Sequence, residues 1–191
     1  LGSGTVYRIS ALEDVGGLYE KTVTEDVATS LRLHGKGYKS VYVDKPLIWY
    51  GIPPRDLKAY LSQQSRWSIG GFQLLGRLLK EKLSLTALVD YIASWMYWFK
   101  VGPITMVQII APILFLLFDL YYLKFDPVVY LMVYIPFILS GTSLYLAAVR
   151  KFYSLKDFIY HQSIELLAFL PVTLSFFAWL TKRERAFTVT G

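Results

Sequence analysis

VGPITMVQIIAPILFLLFDLYYL, residues Val101 to Leu123, carries a single charged side chain, Asp119. A helix of about 20 such residues reaches across the hydrocarbon core of a bilayer. Trp95, Trp98 and Phe99 precede the stretch and Tyr121–Tyr122 close it, as aromatic belts do at the two interfaces. After the short link Lys124-Phe125-Asp126-Pro127, a second apolar stretch runs from about Val128 to Val149. A link this short predicts an antiparallel hairpin of two membrane helices.

A third apolar stretch, about Phe158 to Leu180, reads differently. Lys151 and Lys156 precede it, and Lys182, Arg183 and Arg185 follow it. Positive charge at both ends argues against a simple crossing. Glu165 in lipid costs a few kcal/mol, on the order of 3, and His161, Gln162 and the mid-segment Pro171 add to the polar character. The expectation is an interfacial or re-entrant helix with both ends on the cytoplasmic side, a third span being the alternative.

Hydrophobic residues make up 54% of the 191, aromatics 17%, and mean hydropathy is +0.41, all above what a soluble domain carries. The formal net charge of +6 then belongs to cytoplasmic loops. No basic patch is interleaved with aromatics, so a nucleic-acid partner is not expected. The absence of cysteine excludes disulfides and thiolate metal sites. His34 and His161 have no partners at ligand spacing, and Asp14, Asp44 and Asp56 are isolated, so no metal residue is assigned. The opening Leu1-Gly2-Ser3-Gly4-Thr5 has no signal-peptide pattern and reads as the middle of a longer protein.

Residues 1–90 read as mixed α/β. Gly16-Gly17 marks a turn. Thr22-Val23-Thr24-Glu25 has capping-box spacing ahead of a helix from Asp26 to about His34, which Gly35 and Gly37 stop. Tyr38 to Tyr50 is rich in Val, Tyr and Ile and reads as a strand. Pro53-Pro54 breaks it. A long amphipathic helix follows from about Asp56 to Lys82, with a weak point at Gly70-Gly71.

Three clusters bear chemistry. Thr24-Glu25-Asp26 sits at a helix start, where unpaired N–H groups and the helix dipole favour a carboxylate. Such a group serves as a general base if a hydroxyl comes within hydrogen-bond reach, and it is equally the pattern of a plain cap. Gln63, Arg66 and Trp67, spaced i, i+3 and i+4, share a helix face. Arg offers a charged fork for a diphosphate, Gln adds neutral donors, and Trp offers a flat platform for a sugar ring. The same face also suits an interfacial helix with a snorkelling Arg. Phe187-Thr188-Val189-Thr190, after the basic run, has no meaning alone.

Taken together and in this order, the clusters resemble the cellulose synthase group of family 2 glycosyltransferases. That group carries a TED motif, here Thr24-Glu25-Asp26, and a QxxRW motif, here Gln63 to Trp67. A membrane hairpin, an interfacial helix and an FxVTxK gating loop follow, matched here by Phe187, Val189 and Thr190. The chain reaches Gly191 where the lysine would come next. The resemblance implies an α/β fold for residues 1–90, the C-terminal part of a glycosyltransferase A-type domain. Residues 91–181 would be the helical membrane region and 182–191 the start of the gating loop.

It further implies a hexosyltransferase of the plasma membrane, multi-pass, with its catalytic part cytoplasmic. Asp26, within Thr24-Glu25-Asp26, would be the base that deprotonates the acceptor hydroxyl. Gln63 and Arg66 would hold the donor diphosphate, and Trp67 would stack on the acceptor's terminal sugar. The loop would close over bound nucleotide. The implied partners are a UDP-sugar donor, a polysaccharide acceptor and the lipid bilayer, with an export partner unidentified. The implied cofactor is Mg or Mn, its ligands lying with the donor-binding half ahead of Leu1, so that residues 1–191 alone are expected to be inactive. Two other readings stay open: a glycosyltransferase adding one or a few sugars to a lipid, and a non-catalytic membrane scaffold or translocation subunit.

Overall fold

The computed structural model describes residues 5–43, 52–120, 124, 126–149 and 154–182. Eight α-helices order these residues: α1 (Ile9–Asp14), α2 (Glu25–Gly35), α3 (Leu57–Leu78), α4 (Leu85–Phe99), α5 (Thr105–Phe118), α6 (Pro127–Val149), α7 (Leu155–Leu167) and α8 (Phe169–Leu180). A π-helical turn, Lys100–Ile104, joins α4 to α5. Pro103 lies inside it; its missing N–H and its ring are incompatible with a regular i to i−4 ladder, and the widened turn accommodates both.

The α/β expectation does not hold: among the described residues there is no strand. Tyr38 to Val43 have no regular structure, with Val41 84% and Tyr42 88% exposed. A strand persists by pairing with a neighbour, and no second strand is present among the described residues to supply the ladder. The remainder of that expected strand, residues 44–50, lies outside the described residues.

The chain divides into two compact units. The first comprises α1 to α4, the π-turn and α8, and α3 is its axis. At about 100° per residue, the side chains of α3 fall into three groups around the helix. Leu74 and Leu78 join Ala28 and Leu31 of α2 and Tyr91 of α4 in one buried cluster. Phe72 joins Val101, Ala168 and Val172 in a second, flanked by Leu61, Trp95, Trp98, Phe176 and Trp179. Arg66, Gly70 and Gln73 form the third group, about 130° round from Phe72. A smaller cluster of Ala11, Val15 and Leu33 seats α1 on α2.

The second unit, Thr105–Leu167, holds α5, α6 and α7. Its internal packing is sparse: Tyr145 of α6 meets Phe158 and His161 of α7, with ring centroids 4.5 and 5.9 Å apart. Most of its large apolar side chains face outward, Leu116, Met132, Val133 and Phe137 among them. Apolar surface left outward in a continuous helix is what a bilayer solvates.

Among the described residues, three helical runs are long and apolar enough to cross a membrane: Leu85–Phe118, Pro127–Ala148 and Leu155–Leu180. The first starts well before Val101, so Trp95, Trp98 and Phe99 lie inside the run, and Tyr121–Tyr122 fall outside the described residues. The third is two helices broken at Ala168. Pro171 sits in the first turn of α8, where its absent N–H costs no intrahelical bond.

Two local expectations also change. Glu25 does begin α2, but the capping box does not form: Thr24 is the N-cap without a side-chain cap bond, and the Thr22 hydroxyl donates to the Thr24 carbonyl instead. At the other end, Gly37 adopts φ +89, and the Gly37 and Tyr38 N–H groups donate to the His34 and Leu33 carbonyls. That paired closure needs a left-handed residue, which glycine supplies without strain. The Gly70-Gly71 pair does not interrupt α3, which is continuous from Leu57 to Leu78.

Candidate active site

The start of α2 and the N-terminal half of α3 carry the candidate chemistry. Asp56 caps α3 by accepting from the Ala59 N–H at 2.7 Å, and the helix then runs unbroken past the Gln63 to Trp67 motif. Gln63 and Arg66 are half-buried, and Trp67 keeps 42% of its surface exposed. An exposed indole on a polar helix face is a platform available to a flat partner. Between these residues, Gln64 is buried and Ser65 faces α8. The hydroxyls of Ser65 and Ser175 lie 2.8 Å apart, and Ser175 Oγ also reaches the Ser65 carbonyl at 3.2 Å.

Thr24, Glu25 and Asp26 begin α2. Glu25 is exposed and Asp26 half-buried. Thr29 Oγ1 and Ser30 Oγ donate to the Glu25 and Asp26 carbonyls, at 2.6 and 2.8 Å, so the backbone of this first turn is held from within the helix. Among the described residues, no hydrogen bond or ion pair engages the Asp26 carboxylate. A half-exposed carboxylate without an internal partner keeps its lone pairs available to an incoming hydroxyl.

The two motifs meet on α3. The side chain of Thr24 lies directly over Gly70, so close that a methyl on residue 70 would overlap Thr24 Cγ2, Oγ1 and Cβ. One turn further, the Val23 N–H donates to Gln73 Oε1 at 3.2 Å. Gly70 follows Arg66 by four residues and Gln63 by seven, on the same side of the helix. The segment carrying Asp26 is therefore docked one helical turn from Arg66.

Gly70 and Gln73 were not among the residues the motifs single out. The available signal was a small residue at i+4 from Arg66 and a Gln at i+7, both on the motif-bearing face. Phe187, Val189 and Thr190 lie outside the described residues. A depression of about 760 Å³ lined by Tyr19, Lys21, Arg32, Arg77 and Glu81, among others, includes none of the motif residues. Within it, the Arg77 guanidinium stacks 3.6 Å over the Tyr19 ring. Among the described residues no group of three or more His, Asp or Glu could hold a metal ion.

Away from this site, His34 at the end of α2 bridges Tyr91 Oη (2.9 Å from Nδ1) and Ser40 Oγ (2.8 Å from Nε2). Its ring titrates below the ordinary value because burial desolvates the charged form.

Comparison with known proteins gives these motifs a family. Residues 1–180 match the model of the Glycosyl transferase family group 2. A UDP-forming cellulose synthase of Dictyostelium discoideum is 28% identical over 70% of this chain and 13% of its own length. The UDP-forming cellulose synthase 1 of Komagataeibacter xylinus is 31% identical over 62% of this chain and 16% of its own. The Probable glucomannan 4-beta-mannosyltransferase 11 of Oryza sativa subsp. japonica is 34% identical over 54% of this chain and 18% of its own. The chain thus spans under a fifth of the length of these relatives. With nearly its full length covered by the family model, and both motifs in order on one docked pair of helices, the chain belongs to family group 2 of the glycosyl transferases.

Proposed function

We propose that this protein is a membrane-embedded, inverting glycosyltransferase. It moves a sugar from a UDP-sugar to the end of a growing β-linked polysaccharide and passes the polymer across the membrane. The observation that carries the reading is the docking of Thr24 on Gly70, which sets the Asp26 segment one turn from Arg66 and Trp67. The relatives, two UDP-forming cellulose synthases and a mannosyltransferase, support the same chemistry and leave the sugar unspecified.

Asp26 takes the proton from the acceptor hydroxyl as that oxygen forms its bond to the donor's anomeric carbon. The bond from that carbon to the diphosphate oxygen breaks, and UDP leaves with the electron pair. Arg66 and Gln63 stabilise the charge that builds on the departing diphosphate. Trp67 stacks on the acceptor's terminal sugar. A divalent Mg or Mn, where bound, would offset diphosphate charge, with ligands outside the described residues. Phe187, Val189 and Thr190 belong to a loop that closes over nucleotide. In the bilayer, the helical run that ends in α5 and the helix α6 are the two crossings. Leu155–Leu180 lies at the cytoplasmic interface of the plasma membrane.

The test is sugar incorporation by membranes carrying the protein as its gene encodes it. Labelled UDP-sugars are offered with Mg²⁺ or Mn²⁺ to the wild type and to Asp26→Asn. Label entering a high-molecular-weight product, and lost in Asp26→Asn, is the expected result. Equal incorporation by Asp26→Asn, or label confined to lipid-extractable products, would overturn it.

A further inference from the structure

We propose that Gly70 and Gln73 are positioning residues for the transfer reaction: together they fix the height of the Asp26 segment along α3 relative to Arg66. The inference rests on the functional reading above and extends it to two residues outside either motif.

The start of α2 is not held in the usual way. A threonine N-cap ordinarily turns its hydroxyl onto an N–H of the first turn, worth about 1 kcal/mol. Thr24 is the N-cap, with φ −114 and ψ 74, and makes no such bond. Its side chain is spent on Gly70 instead, with Cγ2, Oγ1 and Cβ all facing the glycine. The residue before it, Val23, gives its backbone N–H to Gln73. The segment entering α2 therefore takes its position from α3 rather than from its own cap.

Two contacts at i and i+3 on α3 bear on both the height and the rotation of that segment. Gly70 acts as a seat, because any side chain there would displace Thr24. Thr24 is β-branched and short, and a Cβ on residue 70 would come within 2.8 Å even of the Thr24 Cβ. No rotamer of Thr24 moves that atom, so relief requires a backbone shift. Restoring ordinary contact takes about 1 Å, and a misplacement of that size costs about 100-fold in rate where reacting groups must align. Gln73 acts as a tether, through an acceptor oxygen on the neighbouring turn.

Both residues lie on the face that carries Gln63 and Arg66. From Gln63 to Gln73 is about 15 Å of helix. A single rigid element thus carries the residues for the diphosphate and the two contacts that place the base-bearing segment. Neither Gly70 nor Gln73 belongs to the motif assigned to the donor diphosphate, so disturbing them should slow the chemical step and spare donor binding.

The experiment measures kcat and donor KM for Gly70→Ala, Gln73→Leu and Gln73→Glu in the protein as its gene encodes it, with UDP binding by calorimetry alongside. Gly70→Ala is expected to lose about 100-fold in kcat, with KM and UDP affinity within about threefold. Gln73→Leu removes the acceptor and is expected to lose kcat in the same selective way, while Gln73→Glu keeps an acceptor oxygen and restores it. Should Gly70→Ala fail to fold, the Leu and Glu variants at position 73 carry the test. Wild-type kcat in Gly70→Ala and Gln73→Leu, beside an inactive Asp26→Asn, would overturn the positioning role alone. Parallel loss of kcat and UDP binding would overturn it as well, since the residues would then only hold the fold. Full activity of Asp26→Asn would instead remove the functional reading on which the inference rests.

Discussion

Removing the ring of Phe72 should release α8 from α3. Phe72 is fully buried, and its centroid lies 5.3 Å from that of Phe176 in an edge-on pair and 5.9 Å from that of Trp179 in a stacked one. Val101, Ala168 and Val172 close the cluster. Phe72→Ala loses the transfer free energy of the ring and leaves a cavity, about 3–5 kcal/mol for a site of this kind. The two ring pairs are part of that figure, at roughly 0.5–1.5 kcal/mol each. The polar link between the helices, Ser65 to Ser175, contributes only about 1 kcal/mol and cannot hold them alone. The readout is amide hydrogen exchange in detergent, because local opening reports the free energy of each element separately. A loss of about 3 kcal/mol accelerates exchange in Val172–Phe177 by about 100-fold, each 1.4 kcal/mol being tenfold. The cluster around Phe72 contains no α6 residue among those described, so exchange across Pro127–Ala148 should stay unchanged. An acceleration below about tenfold, or an equal acceleration in α6, would refute the assignment of Phe72 as the anchor of α8.

Two further predictions concern the C-terminal end of α2. The depressed titration of His34 means that, between its folded value and the ordinary 6.5, the unfolded chain binds the proton more readily. Stability therefore falls as pH drops below 6.5 and levels off below the folded value; His34→Gln should flatten that limb of a Tm-against-pH curve, and an unchanged limb would assign it to another group. Gly37→Ala forces a Cβ into φ +89 and should cost about 1 kcal/mol, read as a lowered Tm, whereas Gly76→Ala in α3, where a Cβ meets nothing within 4 Å, should be neutral or stabilising.

The helices were legible where the signal was local. The period and start of α3, the stop at Gly35 and Gly37, and the apolar stretches follow from patterns within one segment, whereas α3 ends at Leu78, short of the expected Lys82. The expected strand over 38–50 failed over its described part because β-propensity describes fit to a sheet, and its described residues have no sheet to join. The capping box failed for a similar reason. Thr22 and Glu25 have the right spacing, but tertiary contact with Gly70 diverts the turn that would have used it. The motif residues were legible by type and order. Their docking was not, because Gly70 reads in sequence as a flaw in a helix and in the structure as the space Thr24 occupies.

That reversal bears on how the site is put together. A glycine in a helix interior costs about 1 kcal/mol relative to alanine, and α3 carries Gly70, Gly71 and Gly76 within one 22-residue helix. At Gly70 the cost is offset by the approach of a second element that no side chain would permit. The same helix keeps its packing side chains, Phe72, Leu74 and Leu78, on the other two faces. Seats and anchors are thereby separated around one axis: Leu74 and Leu78 hold α2 from behind, Phe72 holds α8, and the polar face is left with a gap that admits Thr24 and an amide that tethers Val23. Tightening the apolar faces stabilises the assembly without altering the polar one. Changing the gap by one methyl group alters the placement of Asp26 while leaving the apolar clusters intact. On this arrangement, stability and the placement of the Asp26 segment depend on different residues of the same helix.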